Sequence, residues 1–351
     1  MRYNILHHNG ITDHTVGAGN VYTGNRVPAT KPGSEQATPD TPARYTNRSR
    51  ERAGMRLGIM LPTFQDSYRR VLDAARYAEA CNLDGVFCYD HIWPIGHPGE
   101  PAFSCFPLLG AIAASIPRLA IGTLVARVGL YAGVVQGTDM LVHSFEALRS
   151  IAPGRVIAGI GSGDSRSTPE DSAYGIESGS TASRRSLLRD AARSLAGRGI
   201  ETWVGLGASA SALRAGMILA ASTGASINVW QADPSKIKPI VPDTLIPREG
   251  EHTDPLERAA EMENGNAHIA AYVSSRASSN FSRKEQSVPI TWAGSLDHLT
   301  RADLESKQDV TGYAEALSLL ARSGITWAVC AGIDAALLAE AARVAADNSG
   351  N

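Results

Sequence analysis

The sequence predicts an α/β chain: a single (β/α)8 barrel over residues 55–348, preceded by a disordered N-terminal extension over 1–54. Three observations predict it. Eight short, apolar, β-rich runs follow Met55, helical patterns lie between most of them, and the runs are apolar throughout. Continuous apolar runs mark parallel strands covered on both faces. Barrels of this type use ~250 residues as one domain. The same spacing also fits a doubly wound open sheet.

The runs are Leu57–Leu61, Gly85–Tyr89, Leu119–Val125, Arg155–Ile160, Glu201–Gly205, Ala225–Trp230, Val288–Trp292 and Thr326–Ala331. After the first, Val71, Ala75 and Ala78 recur at i, i+4 and i+7, which is one face of a helix. After the eighth, Leu337, Leu338, Ala341 and Ala345 recur in the same way. Residues 1–54 are rich in Thr, Gly, Asn, Pro and Arg and have no apolar period. Such a segment buries too little surface to offset its ordering entropy. Met55, directly before the first strand, is the expected native start. Residues 231–287 form an irregular polar segment with scattered Pro, Glu, Asn and Ser. A part near 255–275 is expected to be the helix before the seventh strand, and the rest a long loop.

A formal net charge of -2 over 351 residues, with Lys and Arg dispersed, argues against a nucleic-acid or membrane-surface partner. The longest apolar stretch, Leu108–Leu130, is interrupted by Pro117, Arg118 and Arg127, so no membrane span is expected. No apolar run follows the N-terminus as in a secretory signal. Cys81, Cys88, Cys105 and Cys330 form no CxxC pair and have no His at metal-ligand spacing. They read as small core residues of a cytoplasmic protein, without a metal site.

In such a barrel the chemistry sits at the C-terminal ends of the strands. The second run ends in Tyr89-Asp90-His91-Ile92-Trp93-Pro94. An acid beside an imidazole can bind a polar cofactor edge and move a proton, or it can be a buried pair that shapes a loop. The third continues as Leu124-Val125-Ala126-Arg127, beside a flat ring or simply in the core. The fourth ends in Gly159-Ile160-Gly161-Ser162-Gly163-Asp164. Its glycines admit close backbone approach to a ligand, and Asp164 adds a carboxylate; a plain turn is the alternative. The fifth runs into Gly205-Leu206-Gly207-Ala208-Ser209-Ala210, a formal G-x-G-x-x-A. A dinucleotide site would need an acid at the end of the next strand, which instead reads Asn228-Val229-Trp230-Gln231. What remains is either a tight turn or an anion site at the start of helix 208–222.

In order, these pieces resemble the luciferase-like monooxygenase superfamily, and within it the branch that uses the deazaflavin coenzyme F-420. The resemblance rests on Arg56-Leu57-Gly58-Ile59-Met60-Leu61-Pro62, Asp84-Gly85-Val86-Phe87, Asp90-His91, Leu108–Ala114, Ile121-Gly122-Thr123, Pro153–Asp164 and Gly324-Ile325-Thr326-Trp327. It covers most of 55–230 and resumes over about 288–346. It implies a (β/α)8 barrel binding F-420, or alternatively FMN, at its mouth. His91 would then give or take a proton, Asp90 would be a polar partner of the ring, and Asp164 a second acid or base. Leu124 and Val125 would support the other face of the ring, in a strand that the family often bulges. Gly161, Ser162 and Gly163 would meet the ring or its ribityl chain, and Gly205, Gly207, Ala208 and Ser209 would bind its phosphate. The protein would supply orientation and electrostatics while the ring carries the chemistry.

The resemblance implies an oxidoreductase passing hydride between F-420 and a small organic substrate, in a chain that can form a homodimer. The alternatives are an FMN-dependent monooxygenase using reduced flavin and oxygen, and a barrel that binds flavin without turnover. A lyase or isomerase barrel lacks the paired carboxylates or lysine it would need. Three departures bear on substrate class. Tyr131-Ala132-Gly133-Val134 stands where the family often has Arg and Pro, the usual insertion between helix 183–196 and the fifth strand is nearly absent, and 231–287 matches poorly.

Overall fold

The strands are all parallel and close into a ring. This computed structural model describes residues 54–132, 137–163, 165–177, 179–206, 210–234, 288–300 and 309–349. The expected extension, apart from Gly54, and most of the polar segment, including its expected helix near 255–275, lie outside the described residues. The strands are β1 (Arg56–Met60), β2 (Gly85–Cys88), β3 (Ala120–Thr123), β4 (Ala126–Arg127), β5 (Val156–Gly161), β6 (Glu201–Leu206), β7 (Ser226–Trp230), β8 (Ile290–Gly294) and β9 (Ile325–Cys330). Their order is β3-β2-β1-β9-β8-β7-β6-β5-β4, and β3 also pairs with β5. That last pairing, Ile121 with Val156 and Gly122 with Ile157, closes the sheet and excludes the open doubly wound alternative.

All eight expected runs form strands, with two adjustments. The third is split: β3 ends at Thr123, and the chain resumes pairing as β4, the Leu124–Val125 peptide between them being cis. The seventh begins two residues later than the apolar pattern suggested. Pro289 has no N–H to donate to a ladder, although its carbonyl accepts from Ile227 N.

Helices cover the outside of the ring. They are α1 (Tyr68–Ala80), α2 (Cys105–Ser115), α3 (Asp139–Ile151), α4 (Thr168–Ala173), α5 (Thr181–Gly197), α6 (Ala210–Thr223), α7 (Val310–Arg322) and α8 (Ala335–Ser349). The apolar period fixes which face each presents. In α1 the buried residues are Val71, Ala75 and Ala78; in α8, Leu338 and Ala341 are buried, with Leu337 and Ala345 packed beside them. The Pro153–Asp164 block also has a structural role. Arg155, buried ahead of β5, donates to the carbonyls of Ala113 (2.9 Å), Ile116 (2.8 Å) and Leu119 (3.0 Å). It thereby satisfies orphan carbonyls after α2.

Two apolar layers result. One lies between strands and helices. The other fills the barrel with Met60, Phe87, Ala120, Leu124, Ile157, Trp203, Ala293, Trp327 and Val329. Three rings dominate it. Phe87 stacks on Trp203 at 5.2 Å between centroids, and Trp327 meets both edge-on at 5.8 and 5.6 Å. The Arg56 guanidinium lies 4.5 Å over Trp327 and pairs with Glu201 at 3.4 Å. The N-terminal end of the barrel is thus plugged by rings, and the space for a ligand lies at the other end. Trp203→Ala is expected to lower stability by about 3–5 kcal/mol, as for other buried Trp truncations, in urea unfolding. A loss well below that would mean the plug repacks.

Candidate active site

Strand alternation decides which side chains reach the mouth, because successive residues point to opposite faces. On β2, Phe87 and then Tyr89 belong to the inner layer, while Cys88 belongs to the outer one. Asp90 follows Cys88 outward. It is buried, and its carboxylate accepts from Arg127 N (2.9 Å), Tyr131 Oη (2.9 Å) and Cys105 Sγ (3.4 Å). Adjacent in sequence, Asp90 and His91 are held by different partners: Asp90 ties the strand end to β4 and α2, and His91 sits among the rings of the mouth. Burial pushes the Asp90 carboxyl above its ordinary range, against the lowering effect of Arg127 and Tyr131. Burial and the Asp90 carboxylate push the Tyr131 hydroxyl and the Cys105 thiol upward.

His91 Nδ1 lies 2.6 Å from Glu170 Oε1. Glu170, in α4, is completely buried, and its other oxygen accepts from Ile92 N (2.9 Å) and Arg127 Nη2 (3.2 Å). Arg127 Nη1 also donates to Asp171 at 2.9 Å. One buried guanidinium thus holds two carboxylates, and one of those holds the imidazole. A carboxylate in such a place is tolerated because both its oxygens meet partners, one of them a charged guanidinium. Arg127 Nε is buried and has no hydrogen-bond partner among the described residues.

Around His91 the mouth is aromatic. Phe64 stacks on Tyr89 (5.4 Å, 7° between planes), Tyr89 meets Trp230 edge-on at 6.1 Å, and the His91 ring is 6.2 Å from Phe64. Burial raises the Tyr89 hydroxyl. At the ends of β5 and β6 the mouth is built from small residues and one valine. A Cβ placed on Gly161 would come within 2.6 Å of Val125 Cγ2, and one on Gly205 within 2.6 Å of Val125 Cγ1. These two glycines therefore make room for Val125, which wedges between β5 and β6 and forms a shelf at the mouth. The expected roles of Gly161 beside the ring or ribityl chain and of Gly205 at the phosphate are thus joined by a packing role, room for Val125.

The sequence-nominated residues distribute as follows. His91, Leu124, Val125, Gly161, Ser162, Gly163 and Gly205 lie at the C-terminal ends of β2, β3, β5 and β6. Gly163 is in the left-handed region, φ +76, where glycine carries no Cβ penalty. Asp164, Gly207, Ala208 and Ser209 lie outside the described residues. Sequence reading did not nominate Glu170, Arg127 or Tyr131, nor the wall of Phe64, Tyr89 and Trp230. The available signals were an arginine inside an apolar strand and a Pro-Glu-Asp entering a short helix, and neither identifies its partner. Among the described residues, no cluster of His, Cys, Asp and Glu could hold a metal ion, and no helix is long and apolar enough to cross a membrane.

The C-terminal end of the barrel thus carries an aliphatic shelf at Val125 and, around the His91 imidazole, an aromatic wall. A barrel carrying such a mouth is the class of protein this fold and site define. Residues 55–197 match the family model for luciferase-like monooxygenases. It is 39% identical over 113 residues to an F-420-dependent glucose-6-phosphate dehydrogenase of Beutenbergia cavernae, 32% of each chain. It is 31% identical over 139 residues to one of Kineococcus radiotolerans, 40% of this chain and 39% of that one. The chain thus spans about a third of the length of these curated relatives. The fold is similar to that of an F-420-dependent secondary alcohol dehydrogenase bound to an F-420–acetone adduct. That likeness has a TM-score of 0.56 at 14% identity and covers 83% of this chain and 99% of that one.

The raised Asp90 carboxyl carries a pH signature. The folded chain binds that proton more tightly than the unfolded chain, whose aspartate has the ordinary value of 3.8. Its contribution to stability is therefore complete below that value and is lost as pH rises through the raised one. Asp90→Asn does not titrate, so the stability of the wild type relative to this variant is expected to fall as pH climbs through that window. Unfolding midpoints of both proteins over a pH series measure it; a constant gap or the opposite slope would show the carboxyl is not raised.

Proposed function

We propose that the chain is an oxidoreductase that passes hydride between deazaflavin coenzyme F-420 and a small organic alcohol or carbonyl compound. The observation that carries this reading is His91, set after β2 at the C-terminal end of the barrel beside the rings of Phe64 and Tyr89. The local likeness to F-420-dependent dehydrogenases supports the choice of cofactor over FMN. When bound, F-420 supplies a two-electron hydride acceptor or donor.

The residues divide the work. Val125, seated on Gly161 and Gly205, limits how deep a flat ring can sink. Leu124 lies below it in the inner layer. Phe64, Tyr89 and Trp230 keep water from the surroundings of His91, which strengthens every electrostatic contact there. His91 takes the hydroxyl proton of an alcohol as its carbon gives up hydride, or returns that proton to a carbonyl in the reverse direction. Imidazole suits this because it exchanges a proton near neutral pH. Asp90 acts at one remove, by holding the backbone of Arg127. Ser162, Gly163 and Asp164 would meet the ring edge or its ribityl chain, and Gly207, Ala208 and Ser209 the phosphate; Asp164 would be a second proton-transfer group.

Titration with F-420 and, separately, FMN, followed by cofactor fluorescence, tests the reading. Tight binding of F-420 alone is expected. Preference for FMN would replace hydride transfer with monooxygenation, and binding of neither would remove the cofactor assignment. Glucose 6-phosphate and simple secondary alcohols are the first substrates to try. His91→Asn is expected to lower turnover by about 10²–10⁴-fold, the range of a positioned acid or base, with F-420 still bound. Unchanged turnover would return the protein to a flavin-binding barrel without a catalytic histidine.

A further inference from the structure

The buried carboxylate of Glu170 has no part in the Val125 shelf or the aromatic wall, yet it has three hydrogen-bond partners at the mouth. Among the described residues its Oε1 meets only His91 Nδ1, at 2.6 Å, while its Oε2 takes Ile92 N at 2.9 Å and Arg127 Nη2 at 3.2 Å. A carboxylate accepts and does not donate. A hydrogen bond at 2.6 Å therefore requires the proton to sit on Nδ1. His91 Nε2 makes no hydrogen bond to a described residue, and the side chain keeps 16% exposure.

We propose that Glu170 is a positioning residue, anchored by Arg127 and Ile92 N, that fixes His91 as its Nδ1–H tautomer and leaves Nε2 as the bare lone pair that exchanges a proton with substrate. The proposal rests on the catalytic reading of His91 for its consequence, but the tautomer itself stands on geometry alone. An imidazole free of such a partner prefers its proton on Nε2, where it would face substrate as a donor. A fixed carboxylate on Nδ1 reverses that preference, as partners of one ring nitrogen generally decide the state of the other. Arg127 is the anchor because its second arm is already held by Asp171, so the guanidinium cannot turn away.

Glu170→Gln gives a directional consequence. An amide keeps one oxygen and replaces the other with a donor. Ile92 N–H and the Arg127 guanidinium are donors that cannot be reversed, so the amide oxygen must stay with them. The amide NH2 then faces His91 Nδ1, which has to accept, and the proton moves to Nε2. The variant keeps the size of the side chain and inverts the protonation pattern of the ring.

The test is nitrogen NMR of the imidazoles in the full chain without cofactor, at a pH where the ring is neutral, with His91→Asn identifying the His91 signals. In the wild type, Nδ1 is expected to be pyrrole-type and Nε2 pyridine-type; in Glu170→Gln the two are expected to exchange. A wild-type ring protonated on Nε2, or one unchanged in a folded Glu170→Gln protein, overturns the proposal. Should that variant not fold, the wild-type spectrum decides alone. F-420 titration of the same samples separates the two readings: the expected tautomers without F-420 binding would keep this assignment and overturn the proposed function.

Discussion

The mouth of this barrel is organised around one ion pair, Arg127 with Glu170, from which water is excluded on both sides. The Glu170 side chain is 0% exposed and that of Arg127 6%. Buried ion pairs are weak contributors to stability when compared with apolar substitutes, because desolvation offsets attraction. Removing one partner is another matter, since it strands a charge. The pair therefore acts as a geometric constraint. Wherever β4 places Arg127, Glu170 must follow, and with it α4, Asp171 and the His91 ring.

What places Arg127 is the interruption of the third strand. β3 ends at Thr123, whose hydroxyl donates to Gly159 O at 2.6 Å, and pairing resumes with Ala126 opposite Ile160 and Arg127 opposite Gly161. Between them Val125 enters the space left by two glycines. Asp90 then receives the Arg127 backbone N–H. Shelf, ion pair and imidazole thus share one cause, a short break in one strand. The plugged end of the barrel, with Phe87, Trp203 and Trp327 interlocked, gives this mouth a stiff floor. Precise placement of functional groups depends on such rigid support.

The division between the two ends matches the chemistry proposed. Rings at the N-terminal end pack against each other, with Arg56 laid over Trp327. At the C-terminal end the rings of Phe64, Tyr89 and Trp230 line an opening, and Phe64 is partly exposed. A hydride passes safely only where water is kept away, and an aromatic wall does this without competing for the proton.

Local pattern alone determined the alternation of parallel strands with helices. Eight apolar runs, the helical faces of α1 and α8, and the placement of chemistry at strand ends are all legible because each depends on neighbours within a few residues. His91 was legible for the same reason, as a titratable group directly after an apolar strand. Only the tertiary structure decided that the sheet closes, through Ile121 with Val156 and Gly122 with Ile157. It also decided that Asp90 points away from His91, that Gly161 and Gly205 receive Val125, and that Glu170, 79 residues beyond His91, is its hydrogen-bond partner. Sequence spacing carries the period of a strand or helix, but a contact between residues far apart in the chain exists only once the barrel brings the strand ends to one rim.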